Sequence, residues 1–128
     1  MLTFREYQER AKTTAVYPGR GEGNFVYPAL GLAGESGEVC EKVKKAIRDD
    51  GGRLTEERKA LLAKELGDVL WYAATMASEL ELDLGEVAAA NLAKLAARKA
   101  AERGAKAVTP MHLLESLFEM KLVSLDSL

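Results

Sequence analysis

Apolar residues recur at helical spacing near the start of the chain. Phe4, Tyr7 and Ala11 follow one another at intervals of three or four residues, and Thr3 precedes Glu6 at the spacing of a capping box. These features predict a first helix from about residue 3 to residue 14. The next fifteen residues are rich in residues that interrupt helices, which predicts a surface loop: Pro18, Gly19, Gly21, Gly23, Asn24 and Pro28.

Two longer helical patterns follow this loop. The first begins with Pro28 in its opening turn, continues from Leu30 to Ile47, and ends near the glycine pair at 51–52. The second has Thr55 as its candidate N-cap. Its apolar stripe, which should face the core, consists of Leu62, Leu66, Val69, Ala73, Met76 and Leu80.

A fourth helix is predicted after Asp83 and Glu86, which again have the spacing of a capping box, and it should stop before Gly104. Thr109 and Pro110 could start a further short helix. The connections between the long helices are short, and short connections are typical of antiparallel neighbours.

Composition supports the same fold class. Alanine and leucine are abundant and only one isoleucine is present, which favours helix over strand. A chain of 128 residues suits one hydrophobic core. We therefore predict an all-α, antiparallel, four-helix-bundle-like single domain over residues 1–108, with residues 109–128 as a C-terminal tail or short helix.

Charge and cysteine usage narrow the possible partners. The net charge of −2 gives no basic excess for nucleic acid, and the absence of a long apolar run indicates no membrane partner and a cytoplasmic location. Cys40 is the only cysteine and His112 the only histidine, so neither an internal disulfide nor a zinc site of His and Cys ligands is possible. Any bound metal must have oxygen ligands.

Two acidic pairs carry the candidate chemistry. Glu35 and Glu38 stand three residues apart on the second helix, and Glu65 and Asp68 stand three apart on the third. Each pair therefore shares a helix face. At 100° per residue, Glu65 projects within the apolar arc of its helix, toward the other helices. If the two helices pack antiparallel through their apolar arcs, all four acids converge.

Such a cluster requires positive charge nearby, because like charges repel and burial adds a desolvation cost. Protons, lysine or arginine side chains, or a divalent ion could supply it. Carboxylates without histidine or cysteine suit Mg²⁺ or Mn²⁺, which suggests phosphate chemistry. The alternative is that the acids simply lie on solvent-exposed helix faces. Four glycines inside the helices imply either close helix packing or room beside the acids: Gly31, Gly34, Gly37 and Gly67.

The acidic segments resemble a known family. LAGESGEV at residues 32–39 and ELGDVLWY at residues 65–72 look like the paired acidic signature of the MazG-like all-α nucleoside triphosphate pyrophosphohydrolases. Asn91, Lys94 and Arg98 are similar to the Asn, Lys and Arg positions that these proteins carry on the next helix. The resemblance extends over about residues 24–104.

The resemblance implies hydrolysis of a nucleoside triphosphate to the monophosphate and pyrophosphate. It implies Mg²⁺, or alternatively Mn²⁺, bound by Glu35, Glu38, Glu65 and Asp68, with Glu38 also our candidate general base. It further implies a homodimer or homotetramer. A cellular role in removing non-standard or surplus nucleotides would fit this activity.

Further residues are candidates for substrate binding. Asn91, Lys94 and Arg98 can share one face of the fourth helix and bind the outer phosphates, or they are solvated helix charges. Lys42 could also contact phosphate, or only pair with Glu38 on its own helix.

Trp71 lies away from the main apolar stripe, where it could cover a nucleobase or, as we favour, a subunit interface. Leu70 and Ala74 share that face, which motivates the predicted oligomer. Asn24, Phe25 and Tyr27 could form a lid over the base, although ordinary loop packing is the simpler interpretation.

Two other functions remain open from the sequence. One is a phosphoribosyl-ATP pyrophosphohydrolase. Such enzymes have the same kind of acidic helical bundle and catalyse the same type of reaction, so only the substrate distinguishes this function from hydrolysis of a nucleoside triphosphate. A non-catalytic helical module that binds nucleotides or dimerises is the alternative from a different class.

Overall fold

The computed structural model describes residues 1–107, which form four α-helices and no strand: α1 (Phe4–Lys12), α2 (Val26–Asp50), α3 (Glu56–Glu79) and α4 (Leu84–Ala107). The predicted all-α class is confirmed for these residues. None of the helices is long and apolar enough to cross a membrane. The predicted short helix at Thr109 and Pro110, and His112, lie outside the described residues.

The helix starts depend on the caps that the sequence predicts. The Thr3 hydroxyl oxygen accepts a hydrogen bond from the Glu6 amide at 3.1 Å, and the Thr55 hydroxyl oxygen accepts one from the Arg58 amide at 3.2 Å. The Asp83 carboxylate accepts one from the amide three residues on, at 3.0 Å. Each of these side chains satisfies an amide that has no partner within the helix.

Helix α2 ends where the sequence predicts, whereas α4 runs past its predicted end. Helix α2 ends at Gly51, whose φ of 64° gives the left-handed conformation that terminates many helices. Helix α4 was predicted to stop before Gly104, and this prediction is wrong because the helix continues to Ala107. A glycine inside a helix costs only about 1 kcal/mol relative to alanine, so one such residue does not end a helix whose other residues favour it.

The chain divides into two compact units. The first, Met1–Ala88, contains α1, α2, α3 and the first turn of α4. The second begins at Ala89, and within the described residues it consists of the remainder of α4.

Helices α2 and α3 form an antiparallel hairpin. Gly31 faces Tyr72, while Asp50 at the other end of α2 accepts a hydrogen bond from Arg58 near the start of α3. A side chain at position 31 would overlap the Tyr72 ring, so this glycine permits the close approach of the two helices. The packing explanation for the helical glycines therefore applies to Gly31.

Helix α1 packs antiparallel along the C-terminal half of α3. The core between them consists of Ala11, Ala74, Ala77 and Leu84, with Tyr7 and Trp71 packed against it. Gln8 joins the elements by donating to the Leu82 carbonyl at 2.8 Å and accepting from the Leu84 amide at 2.9 Å.

This packing corrects two expectations about α3. The face that carries Trp71 and Ala74 was expected to remain for a subunit interface, but α1 covers it, and Ala74 is fully buried. The stripe predicted to be the core is only partly buried, since Leu66 is 58% exposed and Leu80 is 43% exposed. Helix α3 contacts α1 and α2 on separate faces, so a single-stripe interpretation could not describe it.

Candidate functional site

Three carboxylates meet between α2 and α3. One carboxylate oxygen from each of Glu35, Glu65 and Asp68 lies within 4.8 Å of the others. The antiparallel hairpin produces this meeting, because it sets residue 35 of α2 opposite residue 68 of α3. The expected convergence of the acids thus holds for three of the four; we call these three the acidic cluster.

Glu38 lies outside the acidic cluster, with a side chain that is 54% exposed. It forms an ion pair with Lys42, whose Nζ is 3.9 Å from a Glu38 carboxylate oxygen. The same Nζ is 3.2 Å from Glu65, whose side chain is only 16% exposed. Lys42 therefore supplies positive charge at the edge of the acidic cluster and links Glu38 to it.

The acidic cluster raises the pKa of one of its members, Glu35. Burial raises the pKa of Glu35, and the negative charges of Asp68, Glu65 and Glu38 raise it further. A bound cation or a proton would relieve this repulsion. Carboxylate oxygens are the ligands that Mg²⁺ and Mn²⁺ prefer, so the residues present fit such an ion.

Two tyrosines border the acidic cluster, and sequence reasoning assigned them no role. Burial raises the pKa of Tyr72, with further contributions from Tyr27, Glu35 and Asp68. Burial also raises the pKa of Tyr7, to which the charge of Asp68 adds. Tyr72 follows Asp68 by four residues and so shares its helix face, a signal that could have identified it. Tyr7 lies on α1 and gave no comparable signal.

The three other glycines on α2 and α3 have free space around them. Within the described residues, no atom lies within 4 Å of the position that a side chain would take at Gly34, Gly37 or Gly67. These glycines flank the acids, so the helix surfaces beside the acidic cluster are open to a ligand.

The glycine-rich loop between α1 and α2 is attached to α3 by a buried acid. Glu79 is 7% exposed and accepts hydrogen bonds from the amides of Gly21 at 2.8 Å and Gly23 at 2.9 Å, and from the Tyr17 hydroxyl. Burial alone would raise the pKa of Glu79, but these hydrogen bonds outweigh it and hold the pKa below its ordinary value. Sequence reasoning missed Glu79, and the local sequence offered little to identify it beyond its place at the end of the third helical pattern.

The predicted lid residues pack within the loop region. Tyr27 stacks on Tyr17 with ring centroids 4.9 Å apart, while the side chain of Asn24 donates to the Pro18 carbonyl at 2.7 Å. Phe25 is about half exposed. These contacts match the ordinary loop packing that was the simpler interpretation.

The candidate substrate-binding residues lie in both units. Trp71 is partly buried against α1, and its indole N–H donates to the Thr14 hydroxyl at 2.8 Å. Asn91, Lys94 and Arg98 lie on the exposed surface of α4 in the second unit. Their contact with phosphate stays a prediction.

Comparisons with known proteins agree with the acidic signature. A model of the MazG nucleotide pyrophosphohydrolase domain matches residues 28–101, which include both acidic segments. "Gene 37 protein" of Mycobacterium phage L5 is 45% identical over 97 residues, which cover 73% of this chain and 85% of the phage protein. No solved structure matches the chain. On the extent of the domain match, the chain belongs to the MazG nucleotide pyrophosphohydrolase family.

Proposed function

We propose that the protein hydrolyses a nucleoside triphosphate, ribo or deoxyribo, to the monophosphate and pyrophosphate. The observation that carries the proposal is the acidic cluster, whose carboxylate oxygens approach within 4.8 Å of one another. Groups of like charge this close favour a divalent cation, and Mg²⁺ or Mn²⁺ suits their chemistry. We propose that the cellular role of this activity is the removal of non-standard or surplus nucleotides.

The bound ion would supply charge neutralisation of the triphosphate and a lower pKa for the attacking water. Glu35, Glu65 and Asp68 would hold the ion. Glu38 would be a fourth ligand or the general base, and its exposure supports the second role, because a base must reach a water molecule.

Cationic side chains would bind the substrate phosphates. Lys42 already lies between Glu38 and Glu65, so a phosphate next to the ion would be within its reach. Asn91, Lys94 and Arg98 would bind the outer phosphates. Trp71 would act indirectly, because it packs against the core that contains Ala11 of α1 and its indole N–H is already bonded to Thr14, two residues beyond the end of that helix.

An oligomer is part of the proposal. Leu30 is 70% exposed, Ile47 is 64% exposed and Leu66 is 58% exposed on α2 and α3. Apolar surface on this scale favours burial against another copy, so we expect a homodimer or a homotetramer built as a dimer of dimers.

A non-catalytic nucleotide-binding module is the second candidate. The observation that favours it is the pairing of Lys42 with Glu65, which offsets part of the negative charge without a metal. A phosphoribosyl-ATP pyrophosphohydrolase would use the same acids and differ only in substrate.

The deciding experiment incubates the protein with ribo- and deoxyribonucleoside triphosphates, with and without Mg²⁺ or Mn²⁺, and identifies products by phosphorus NMR. We expect metal-dependent release of pyrophosphate and the monophosphate. Orthophosphate with a diphosphate would contradict the reaction. The absence of turnover would lead to a test of phosphoribosyl-ATP and, if that also fails, to the binding module.

Variants locate the reaction in the acidic cluster. Glu65→Gln and Asp68→Asn remove charge with little change of shape, and each should lose most turnover while staying folded. Glu41→Gln is the matched control, because Glu41 is on α2 and, among residues 1–107, its ion-pair partners are Lys44 and Lys45 rather than a member of the acidic cluster. Wild-type rates in both cluster variants would refute the assigned site.

A further inference from the structure

The first unit contains a cavity of about 1060 Å³ beside the C-terminal half of α3. Its walls come from α1, from the glycine-rich loop and from the end of α3, and they include Tyr17, Arg20 and Thr75. Small-molecule sites in proteins usually occupy about 300–1,000 Å³, so a molecule of nucleoside size fits easily. No member of the acidic cluster lines this cavity.

Helix geometry relates the cavity to the acidic cluster. Thr75 follows Asp68 by seven residues, which corresponds to about 10 Å along α3 and a rotation of only about 20°. The two residues therefore lie on one face of the same helix. A phosphate chain with its sugar spans a comparable length. A nucleotide with its phosphates at the acidic cluster would thus bring its sugar and base to the cavity.

The charges around the cavity do not suit a polyanion. They have both signs, and two of the cations are already paired: Arg5 with Asp83 at 2.8 Å and Lys12 with Glu9 at 2.9 Å. The guanidinium of Arg20 donates to the Ala15 carbonyl. A mixed polar lining of this kind suits an uncharged group with donors and acceptors, such as a sugar and a nucleobase.

Thr75 supplies an independent observation. It is 5% exposed, and its hydroxyl oxygen is buried without a hydrogen-bond partner within the described residues. The neighbouring Ser78 hydroxyl, by contrast, donates to the Ala74 carbonyl at 3.2 Å. A role in packing does not explain the Thr75 hydroxyl, because valine has the same shape without the cost of an unpaired polar group.

We infer that the cavity binds the sugar and base of the nucleotide and that the Thr75 hydroxyl forms a hydrogen bond with them. This inference rests on the proposed function, because it assigns the uncharged part of the same substrate. The loop residues Tyr17 and Gly21, both held by Glu79, would form the outer wall of the pocket.

The test separates the two parts of the ligand. The ¹⁵N-labelled protein is titrated in Mg²⁺ with a panel of ribo- and deoxyribonucleoside monophosphates and, separately, with inorganic tripolyphosphate. We expect the amide signals of Gly21 and Thr75 to shift with at least one monophosphate and not with tripolyphosphate. Silence of both amides throughout the monophosphate panel would overturn the inference.

Substitutions of Thr75 test the hydrogen bond. Thr75→Val should weaken binding of the preferred monophosphate about tenfold, the value of one hydrogen bond, and leave tripolyphosphate affinity unchanged. Thr75→Ser, which keeps the hydroxyl, should retain most of the affinity. Equal affinities in the wild type and the valine variant would contradict the role of Thr75. If valine prevents folding, the wild-type titration still decides whether the cavity binds the ligand.

The outcomes distinguish this inference from the proposed function. If monophosphates shift the cavity amide signals but no triphosphate is hydrolysed, the pocket assignment is supported and the proposed reaction is refuted. If pyrophosphate is released while the cavity amide signals do not shift, the proposed reaction is supported and the pocket assignment is refuted.

Discussion

Replacing Glu79 by glutamine tests how strongly one buried acid holds the glycine-rich loop. The carboxylate accepts from Gly21 on one oxygen and from Gly23 on the other, and Tyr17 donates to it as well. Glutamine keeps the shape but has one amide NH₂ in place of an oxygen. One of the two glycine amides would therefore face a donor and lose its partner.

The magnitude follows from these contacts. Leaving one buried donor unsatisfied costs about 1–3 kcal/mol, and the remaining hydrogen bonds weaken because the acceptor is no longer charged. We expect Glu79→Gln to lower the free energy of unfolding by about 2–3 kcal/mol. For a chain of this size, such a loss lowers the melting temperature by about 10 °C.

The assay is urea unfolding followed by circular dichroism, with Glu22→Gln as the control from the same loop. Glu22 is exposed, so its variant should match the wild type. The pH dependence adds a second measurement. The pKa of Glu79 is held below its ordinary value of 4.5, so its stabilisation is complete above that pH and is lost as the pH falls through the lowered pKa.

Glu79→Gln should remove this part of the acid sensitivity. A variant within about 0.5 kcal/mol of the wild type, the usual range for surface substitutions, would refute the role assigned to Glu79.

The remaining predictions concern the α2–α3 hairpin. Lys42→Met removes the positive charge beside Glu65, so Mg²⁺ affinity measured by calorimetry should rise several-fold. An unchanged or lower affinity would show that Lys42 does not compete with Mg²⁺ for Glu65. Gly31→Ala places a methyl group against the Tyr72 ring and should cost about 1–3 kcal/mol of unfolding free energy. Gly34→Ala, which meets free space, should instead be neutral or gain up to about 1 kcal/mol, and equal effects at both positions would refute the packing argument.

Much of the fold could be predicted from signals that depend on residues close together in the sequence. The N-caps at Thr3, Thr55 and Asp83 were predictable because capping depends on residues only three positions apart. The meeting of Glu35 with Asp68 was also predictable, since it follows from two i, i+3 pairs and an antiparallel connection. These relations need no knowledge of distant packing.

The rest depends on contacts between distant residues. Periodicity could not reveal that α1 covers the Trp71 face of α3, because alanine-rich helices have several weakly apolar faces. The i, i+3 spacing also did not reveal that Glu38, with a side chain 54% exposed, lies outside the acidic cluster. Glu79 was missed because its partners are backbone amides in a loop, which no side-chain pattern marks.

The position of α1 also constrains the order in which the first unit can assemble. Contacts between α2 and α3 can form as soon as α3 is complete, whereas the hydrogen bond between Gln8 and the Leu84 amide joins residues 76 positions apart. During synthesis, α1 emerges first, but its apolar face lacks its full set of partners until the C-terminal half of α3 and the start of α4 have left the ribosome. The acidic hairpin should consequently be in place before the N-terminal helix closes over α3.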